Sequence, residues 1–444
     1  MTKETDSREI VLDILLEILE RAGYSHLILR QALNKYQYLD KSERSFITRT
    51  VEGTVEYLIQ IDYVIDLYSS TKVKKMKPVI RTLLRMSVYQ ILYMDRVPDS
   101  AVCNEAVKLA VKRKFTGLKG FVNGVLRNIS RNKESLNWPD ESVRYSIPQW
   151  LVSMWTNDYG KETADTIMAS FLEKRKTTVR LNLSKASKEE ILSSLRKQDV
   201  QILESGISDD VVFLEKYDYL ESLKAFQKGY IQVQDLSSSF VGEVADPKEG
   251  DYCIDVCGAP GGKSIHLADK LKGTGLVEVR DLTEYKVSLI QENIERCGFD
   301  NIKTRVWDAL NLDENSVEKA DIVLADLPCS GLGIMGRKPD IKYRIQPSDL
   351  EELALLQRNI LSVVQTYVKP GGKLIFSTCT IDKKENEENL AWFLKQFPFE
   401  PVDLEGKFLE QFKIDTMKHG YIQFLPGIHP CDGFFIGVLQ KKVD

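Results

Sequence analysis

No apolar run in this 444-residue chain approaches the ~18 to 20 residues that a bilayer-spanning helix requires, which excludes a helical membrane protein. The opening residues, MTKETDSREI, have no apolar signal-peptide core, and the cytoplasm is the expected location. Cysteine is sparse: seven residues, an odd number without repeated spacing, do not build a disulfide framework. Histidine is scarcer, with four, and Cys253 and Cys257 have no second pair to complete a zinc site, so no metal is expected. Two nucleotide-binding fingerprints are also missing. There is no GxGxxG, which argues against a nicotinamide or flavin enzyme. In DVCGAPGGKS, Asp255 to Ser264, a phosphate loop of spacing GxxxxGK then Ser or Thr fails because Cys257 stands at the first glycine position.

What is present is an ordinary globular composition, 43% hydrophobic and 28% charged residues, with length for two or three domains. The net charge of −4 is unevenly spread: Lys72 to Arg144 holds 16 basic and 6 acidic residues, a local +10 that leaves −14 elsewhere. A basic region in an acidic chain suits a polyanion, because phosphate contacts carry much of the affinity for nucleic acid; solvated helix faces are the alternative.

Periodicity makes residues 1–140 all-α. Val11, Ile14, Leu15 and Ile18 fall at helical spacing, and Val79, Leu83, Leu84 and Met86 with Val88, Ile91 and Leu92 sustain a second stripe. SAVCNEAVKLAVKR and FTGLKGFVNGVLRNISR form an amphipathic pair split at Gly117. The polar, proline-containing ESLNWPDESVRYSIPQW reads as a linker. A small α+β module over 141–228 follows, with strands in TTVRLNLSK and DVVFLEK around a helix in KEEILSSLRKQ, and without catalytic candidates.

Over 229–444 the pattern becomes strands alternating with helices, which predicts a doubly wound, Rossmann-like α/β domain. YCIDVC, LVEVRDL, TRVWDA, DIVLADLP and KLIFSTC are the strands, and the chemistry-bearing residues lie at their carboxyl ends, where such folds bind ligands. Gly258, Gly261 and Gly262 let backbone approach a ligand after the first strand. Asp281, ending the second, suits the two hydroxyls of a ribose, and Asp308, after the third, suits an adenine amino group. These features fit an adenosine cofactor held without a pyrophosphate cradle, and S-adenosylmethionine leads.

DVCGAPGGKS, DLPCSG, RKPDIKY, FSTCT and DGFF, in this order, resemble the motifs of the RNA cytosine-5 methyltransferase family whose relatives include the NOL1, NOP2 and Sun proteins. NEAVKLA followed by FVNGVLRN is similar to the NusB-like RNA-binding domain. Together they narrow the match to the small-subunit ribosomal RNA type and cover nearly the whole chain. The resemblance implies a multi-domain fold: an all-α NusB-like bundle, the small α+β module and a class I methyltransferase domain. It implies S-adenosylmethionine held by Cys257, Gly258, Ala259, Pro260, Gly261, Gly262, Lys263, Asp281, Asp308 and Asp326. Small-subunit ribosomal RNA is the implied substrate and transfer RNA the runner-up, with no membrane or DNA partner. Leu327 and Gly258 depart from alanines common in the family.

Two cysteines, Cys329 and Cys379, then acquire a chemical purpose. Carbon 5 of cytosine is a poor nucleophile, and thiolate addition at carbon 6 activates it. Asp326, three residues before Cys329, suits a hydrogen bond near ring nitrogen 3. Spacing leaves open which thiol attacks; the resemblance assigns attack to Cys379 and assistance in releasing product to Cys329. The target cytosine must be single-stranded, in a loop, or flipped out. Arg127, Arg131, Lys112, Arg113 and Lys114 are candidate phosphate contacts, while Asn104 and Asn123 serve either RNA or helix packing. Arg337, Lys338 and Lys342 either touch phosphate or are solvated, and Phe434 and Phe435 read as core. A thiol-redox enzyme using the cysteine pair and a non-catalytic RNA-binding assembly factor are the competing classes.

Overall fold

The computed structural model describes residues 6–406 and 414–443. They form two compact units, one of residues up to Glu173 together with Met335–Arg344, the other of Lys174–Ile334 and Ile345 onward.

The first unit is all-helical. Ser7–Glu20 begins where the Asp6 carboxylate accepts a hydrogen bond from the backbone N–H of Arg8, a capping arrangement that satisfies one orphan amide. It buries Ile10, Val11, Ile14, Leu15 and Ile18. Pro78 opens the helix Pro78–Tyr93, where its missing N–H costs nothing, and Ile80, Leu83, Leu84, Met86, Val88 and Ile91 are buried. Lys41–Glu56 can approach this helix because residue 53 is glycine: a Cβ there would lie 2.0 Å from Cζ of Tyr89. Asp99–Lys112 and Lys119–Asn132 are the amphipathic pair, joined by a 3-10 turn at Thr116–Leu118.

The helical unit runs past the expected end at 140. The supposed linker forms Glu141–Tyr145 and leads into Gln149–Tyr159 and Lys161–Ser170. Pro139 and Pro148 suggested a break, but Pro148 immediately precedes the first helical residue, where proline is tolerated. Trp155 and Phe171 then bury together, ring centroids 5.9 Å apart.

A second difference is the membership of RKPDIKY. Lys342 is buried and its ammonium donates to the carbonyl of Glu56 at 2.8 Å, so it is no phosphate contact. Asp340, 4% exposed, accepts from the backbone N–H of Ser25 at 3.2 Å, from the Ser25 hydroxyl, and from Arg344 Nε at 2.9 Å.

In the second unit, β1 (Thr177–Leu181), β2 (Gln201–Glu204), β3 (Val211–Glu215) and β4 (Ile231–Val233) make an antiparallel sheet of order β2-β3-β1-β4. Its last strand lies beyond 228, so the module extends past its expected end. The helix Lys188–Arg196, closed by a Ser187–Glu190 capping box, packs Ile191, Leu192 and Leu195 into its core.

The larger sheet contains β5 (Tyr252–Asp255), β6 (Leu276–Asp281), β7 (Ile302–Val306), β8 (Ala320–Asp326), β9 (Val368–Thr378), β10 (Phe399–Pro401), β11 (Tyr421–Phe424) and β12 (Phe434–Lys441). Its order is β10-β12-β9-β8-β5-β6-β7, with β11 also on β12. The five strands from β7 to β9 run parallel, while β12 pairs antiparallel with β9, so the sheet is mixed. The five parallel strands are those read from the sequence. Chain order reverses around β5, whose neighbours are β6 and β8, and this is where a crevice opens in such sheets.

Removing the Asp340 carboxylate leaves three donors of the helical unit without their acceptor. Asp340→Ala is expected to cost about 2 kcal/mol of stability, read as an earlier denaturant midpoint; an unchanged midpoint would refute the anchoring role.

Candidate active site

β5 ends at Asp255, a fully buried carboxyl that accepts from the Ser264 hydroxyl. Burial raises its pKa to about 7. The chain then turns tightly through Cys257 to Gly261, with Gly258 N–H donating to the Arg280 carbonyl at 2.9 Å and Gly261 N–H to the Gly258 carbonyl at 2.6 Å. Gly261 has φ +103°, a conformation that favours glycine. At Gly258 the constraint is space, since a Cβ would lie 2.2 Å from Cγ1 of Val279. The peptide Ala259–Pro260 is cis. Gly262 starts the helix Gly262–Lys270, which places Lys263 in its first turn.

Asp281, at the end of β6, is 4% exposed. Its Oδ2 accepts from the N–H of Ala259 at 3.0 Å, and its Oδ1 from the N–H of Leu282 at 2.7 Å, with Lys286 Nζ at 3.0 Å. The carboxylate thus links the glycine turn to β6 while Oδ2 keeps a second lone pair. Asp308 lies just beyond β7, where Trp307 N–H donates to the Asp281 carbonyl at 2.9 Å. Its own carboxylate is engaged locally, accepting from Leu310 N–H at 3.0 Å.

At the ends of β8 and β9, Asp326 is held from both sides. Lys263 Nζ lies 2.6 Å from Oδ2, and the Ser377 hydroxyl donates to Oδ1 at 2.7 Å. Burial pulls the Lys263 pKa down, but the charges of Asp326 and Asp255 outweigh it and keep the ammonium protonated above its usual range. Cys329 and Cys379 meet with their sulfurs 3.3 Å apart, both half-buried and neither in a disulfide. The bond to Cys379, burial and the negative charges of Cys379 and Glu385 raise the Cys329 pKa well above the ordinary thiol value. Cys329 therefore keeps its proton beside Cys379.

The loops carrying these thiols are clasped together. Ser330 and Thr380, each following one cysteine, have hydroxyls 2.7 Å apart, and Gly333 N–H donates to the Cys379 carbonyl at 3.0 Å. Glu385 accepts from Ser330 N–H at 3.0 Å and from Gln357 Nε2 at 2.8 Å, and Gln357 also donates to the Pro328 carbonyl at 3.0 Å. Ser377, Thr380, Gln357 and Glu385 were not singled out from the sequence; Ser377 and Thr380 lie inside FSTCT, whereas nothing local marks Gln357 or Glu385.

The glycine turn, Lys263, Asp281, Asp326 and the two thiols all lie at or just beyond the carboxyl ends of β5, β6, β8 and β9, and Asp308 follows β7. The open backbone at Gly262, where a Cβ would meet nothing within 4 Å, and the buried carboxylate of Asp281 fit the adenosyl end of S-adenosylmethionine. Phe434 and Phe435 are buried core residues. In the helical unit, Lys112 pairs with Glu9, and Arg113 with Asp13 at 2.6 Å and Glu9 at 3.4 Å, so these cations already have partners. Asn104, Lys108, Lys119, Asn123 and Arg127 line a groove of 640 Å³ on the same unit.

Residues 243–440 match the family model of the 16S rRNA methyltransferase RsmB/F, residues 5–131 that of the NusB family, and residues 147–219 the ferredoxin-like domain of RsmF/B-like methyltransferases. A probable ribosomal RNA small subunit methyltransferase B of Bacillus subtilis is 37% identical, covering 99% of this chain and 100% of the relative. The ribosomal RNA small subunit methyltransferase B of Shewanella oneidensis is 31% identical over 98% of this chain and 99% of its own length. Among solved structures, PH0851 superimposes with a TM-score of 0.83 and 26% identity, covering 99% of this chain and 100% of that one. NSun6 from Pyrococcus horikoshii, solved with SFG, shares the fold at TM-score 0.61 and 24% identity, covering 67% of this chain and 99% of that one. With a NusB-type helical unit, a ferredoxin-like module and a Rossmann-like domain in one continuous match, the chain belongs to the ribosomal RNA small subunit methyltransferase B family of S-adenosylmethionine-dependent enzymes.

Proposed function

We propose that this enzyme methylates carbon 5 of a cytosine in small-subunit ribosomal RNA through a transient bond between Cys379 and carbon 6. The observation that carries the reading is the pair of thiols 3.3 Å apart beside a carboxylate held by Lys263 and Ser377. S-adenosylmethionine supplies an electrophilic methyl group. Cys379 adds to carbon 6 as the thiolate, which makes carbon 5 nucleophilic. As carbon 6 is attacked, ring nitrogen 3, the atom that receives the displaced charge, takes up a proton from solvent, and Asp326 accepts a hydrogen bond from that N–H. Lys263 fixes the orientation of Asp326, and Asp281 and the glycine turn hold the adenosyl end. A base, water included, then takes the hydrogen from carbon 5 and the carbon 6–sulfur bond breaks to return Cys379 as the thiolate, a step that Cys329, the thiol that keeps its proton, assists. These atoms must reach the face of the base, so the target is an unstacked cytosine in a loop or single strand.

The direct test supplies isotopically labelled S-adenosylmethionine with unmodified small-subunit ribosomal RNA and, separately, transfer RNA, followed by digestion to nucleosides. Label in 5-methylcytidine from ribosomal RNA is expected. Label from transfer RNA alone would overturn the substrate, and label in another nucleoside the chemistry. Cys379→Ala is expected to lower turnover on the order of a thousandfold or more. Cys329→Ala should accumulate a denaturation-resistant protein–RNA complex that the double variant with Cys379→Ala does not form; a complex surviving in the double variant would remove Cys379 as nucleophile.

Glu385 generates a pH prediction. Burial raises its pKa from the usual 4.5 to about 7, so across that window the native state holds a proton that the unfolded chain has lost, and stability falls as pH rises. Glu385→Gln keeps a hydrogen-bonding side chain without the ionisation and should flatten this slope, measured as urea midpoints at pH 5 and 7.5. An unaltered slope would count against a buried, protonated Glu385.

A further inference from the structure

Away from the thiols, Asp210, Glu243 and His266 come together from three separate places: the residue before β3, the helix Leu236–Ala245 and the helix Gly262–Lys270. One oxygen of each carboxylate and one imidazole nitrogen all lie within 4.8 Å of one another. His266 Nε2 is 3.4 Å from Glu243 Oε1 and 3.6 Å from Asp210 Oδ2. Both separations are long for an N–H···O hydrogen bond. They match the edge of a tetrahedron, since zinc bonds of about 2.1 Å to nitrogen and oxygen put neighbouring ligands roughly 3.4 Å apart.

His266 is 1% exposed, yet its Nδ1 has no hydrogen-bond partner. Residue 242 is glycine where the ring packs, and a Cβ there would sit 2.3 Å from Nδ1. The sequence thus gives up a side chain at 242 to seat the imidazole with its Nε2 turned to the two carboxylates. The charges around the cluster are Asp210, Glu243 and Asp269 against Arg180, 3.5 Å from Asp269, and Lys270, 2.7 Å from Glu243. Three anions face two cations, and the remaining negative charge favours a cation. The cluster opens on a cleft of 1360 Å³, which leaves room for a water as fourth ligand.

We propose that Asp210, Glu243 and His266 bind one divalent cation of the zinc class, tying the small antiparallel module to the helix that carries Lys263. The cleft is lined by Gly273, Gly275 and Leu276 at the start of β6, whereas the thiols lie at the carboxyl ends of the strands. The ion is therefore structural, held by one neutral nitrogen and two carboxylates, of which Glu243 is also paired with Lys270 and Asp210 with the Ser208 hydroxyl.

The full-length protein, stripped with chelator, is titrated with zinc and with cobalt(II) as the spectroscopic substitute. One equivalent per chain is expected, with visible bands of tetrahedral cobalt and no thiolate charge-transfer band. Asp210→Asn and Glu243→Gln, each near-isosteric, should weaken binding about a hundredfold, and zinc should raise the melting temperature of the parent chain but not of these variants. His266→Ala adds a third ligand deletion where it folds. Absence of stoichiometric binding overturns the site. So does undiminished affinity in Asp210→Asn and Glu243→Gln, or a charge-transfer band that disappears with Cys329→Ala or Cys379→Ala.

Discussion

The register of β8 against β9 is the constraint on which the reactive end of the sheet depends. It sets Asp326 opposite Ser377, so that the two loops leave the sheet side by side. Cys329 follows its strand end by three residues and Cys379 follows Ser377 by two, and the sulfurs meet only because the ladder starts them level. A one-residue slip would turn every side chain of a strand to the opposite face and part Asp326 from Ser377. The clasp of Ser330 with Thr380 and Glu385 extends the same alignment past the last ladder hydrogen bond.

Burial without full neutralisation runs through this region. Asp255 and Glu385 are carboxyls kept in apolar surroundings, each pushed to about 7 by desolvation. Asp326 lies between Lys263 and Ser377, where ionic and neutral donors both reach it. The site therefore contains carboxyls of different character within one set of loops, a product of depth in the sheet rather than of residue type.

Much of this was legible in the sequence, because apolar periodicity reports which face of an element is buried. The helical stripes and the five parallel strands follow from that pattern, and strand ends in such sheets predict where chemistry gathers. What could not be read depends on contacts distant along the chain. Lys342 looked like a loop cation until the Glu56 carbonyl, far upstream, was beside it. The basic window lost Lys112 and Arg113 to Glu9 and Asp13, acids of the first helix outside the window counted. Asp308 follows a strand end as read, and the hydrogen bond that one of its oxygens accepts from Leu310 in its own turn had no signal in the sequence. Pro148 punctuated a helix start and was read as a break.

The ten residues Met335–Arg344 make the division of the chain into modules less simple than the order of its domains suggests. The polypeptide leaves the catalytic unit six residues after Cys329, spends those ten residues in the helical unit, and returns at Ile345. A gene fragment beginning at Lys174 would encode the complete sheet but strip Asp340 and Lys342 of every partner they have in the helices. The helical unit, cut at Glu173, would lose the segment whose Asp340 accepts from Ser25 and whose Lys342 donates to the Glu56 carbonyl. The two parts are thus bound to a common inheritance: recombination at a single junction cannot exchange one for a foreign counterpart without also rewriting a segment embedded in the other.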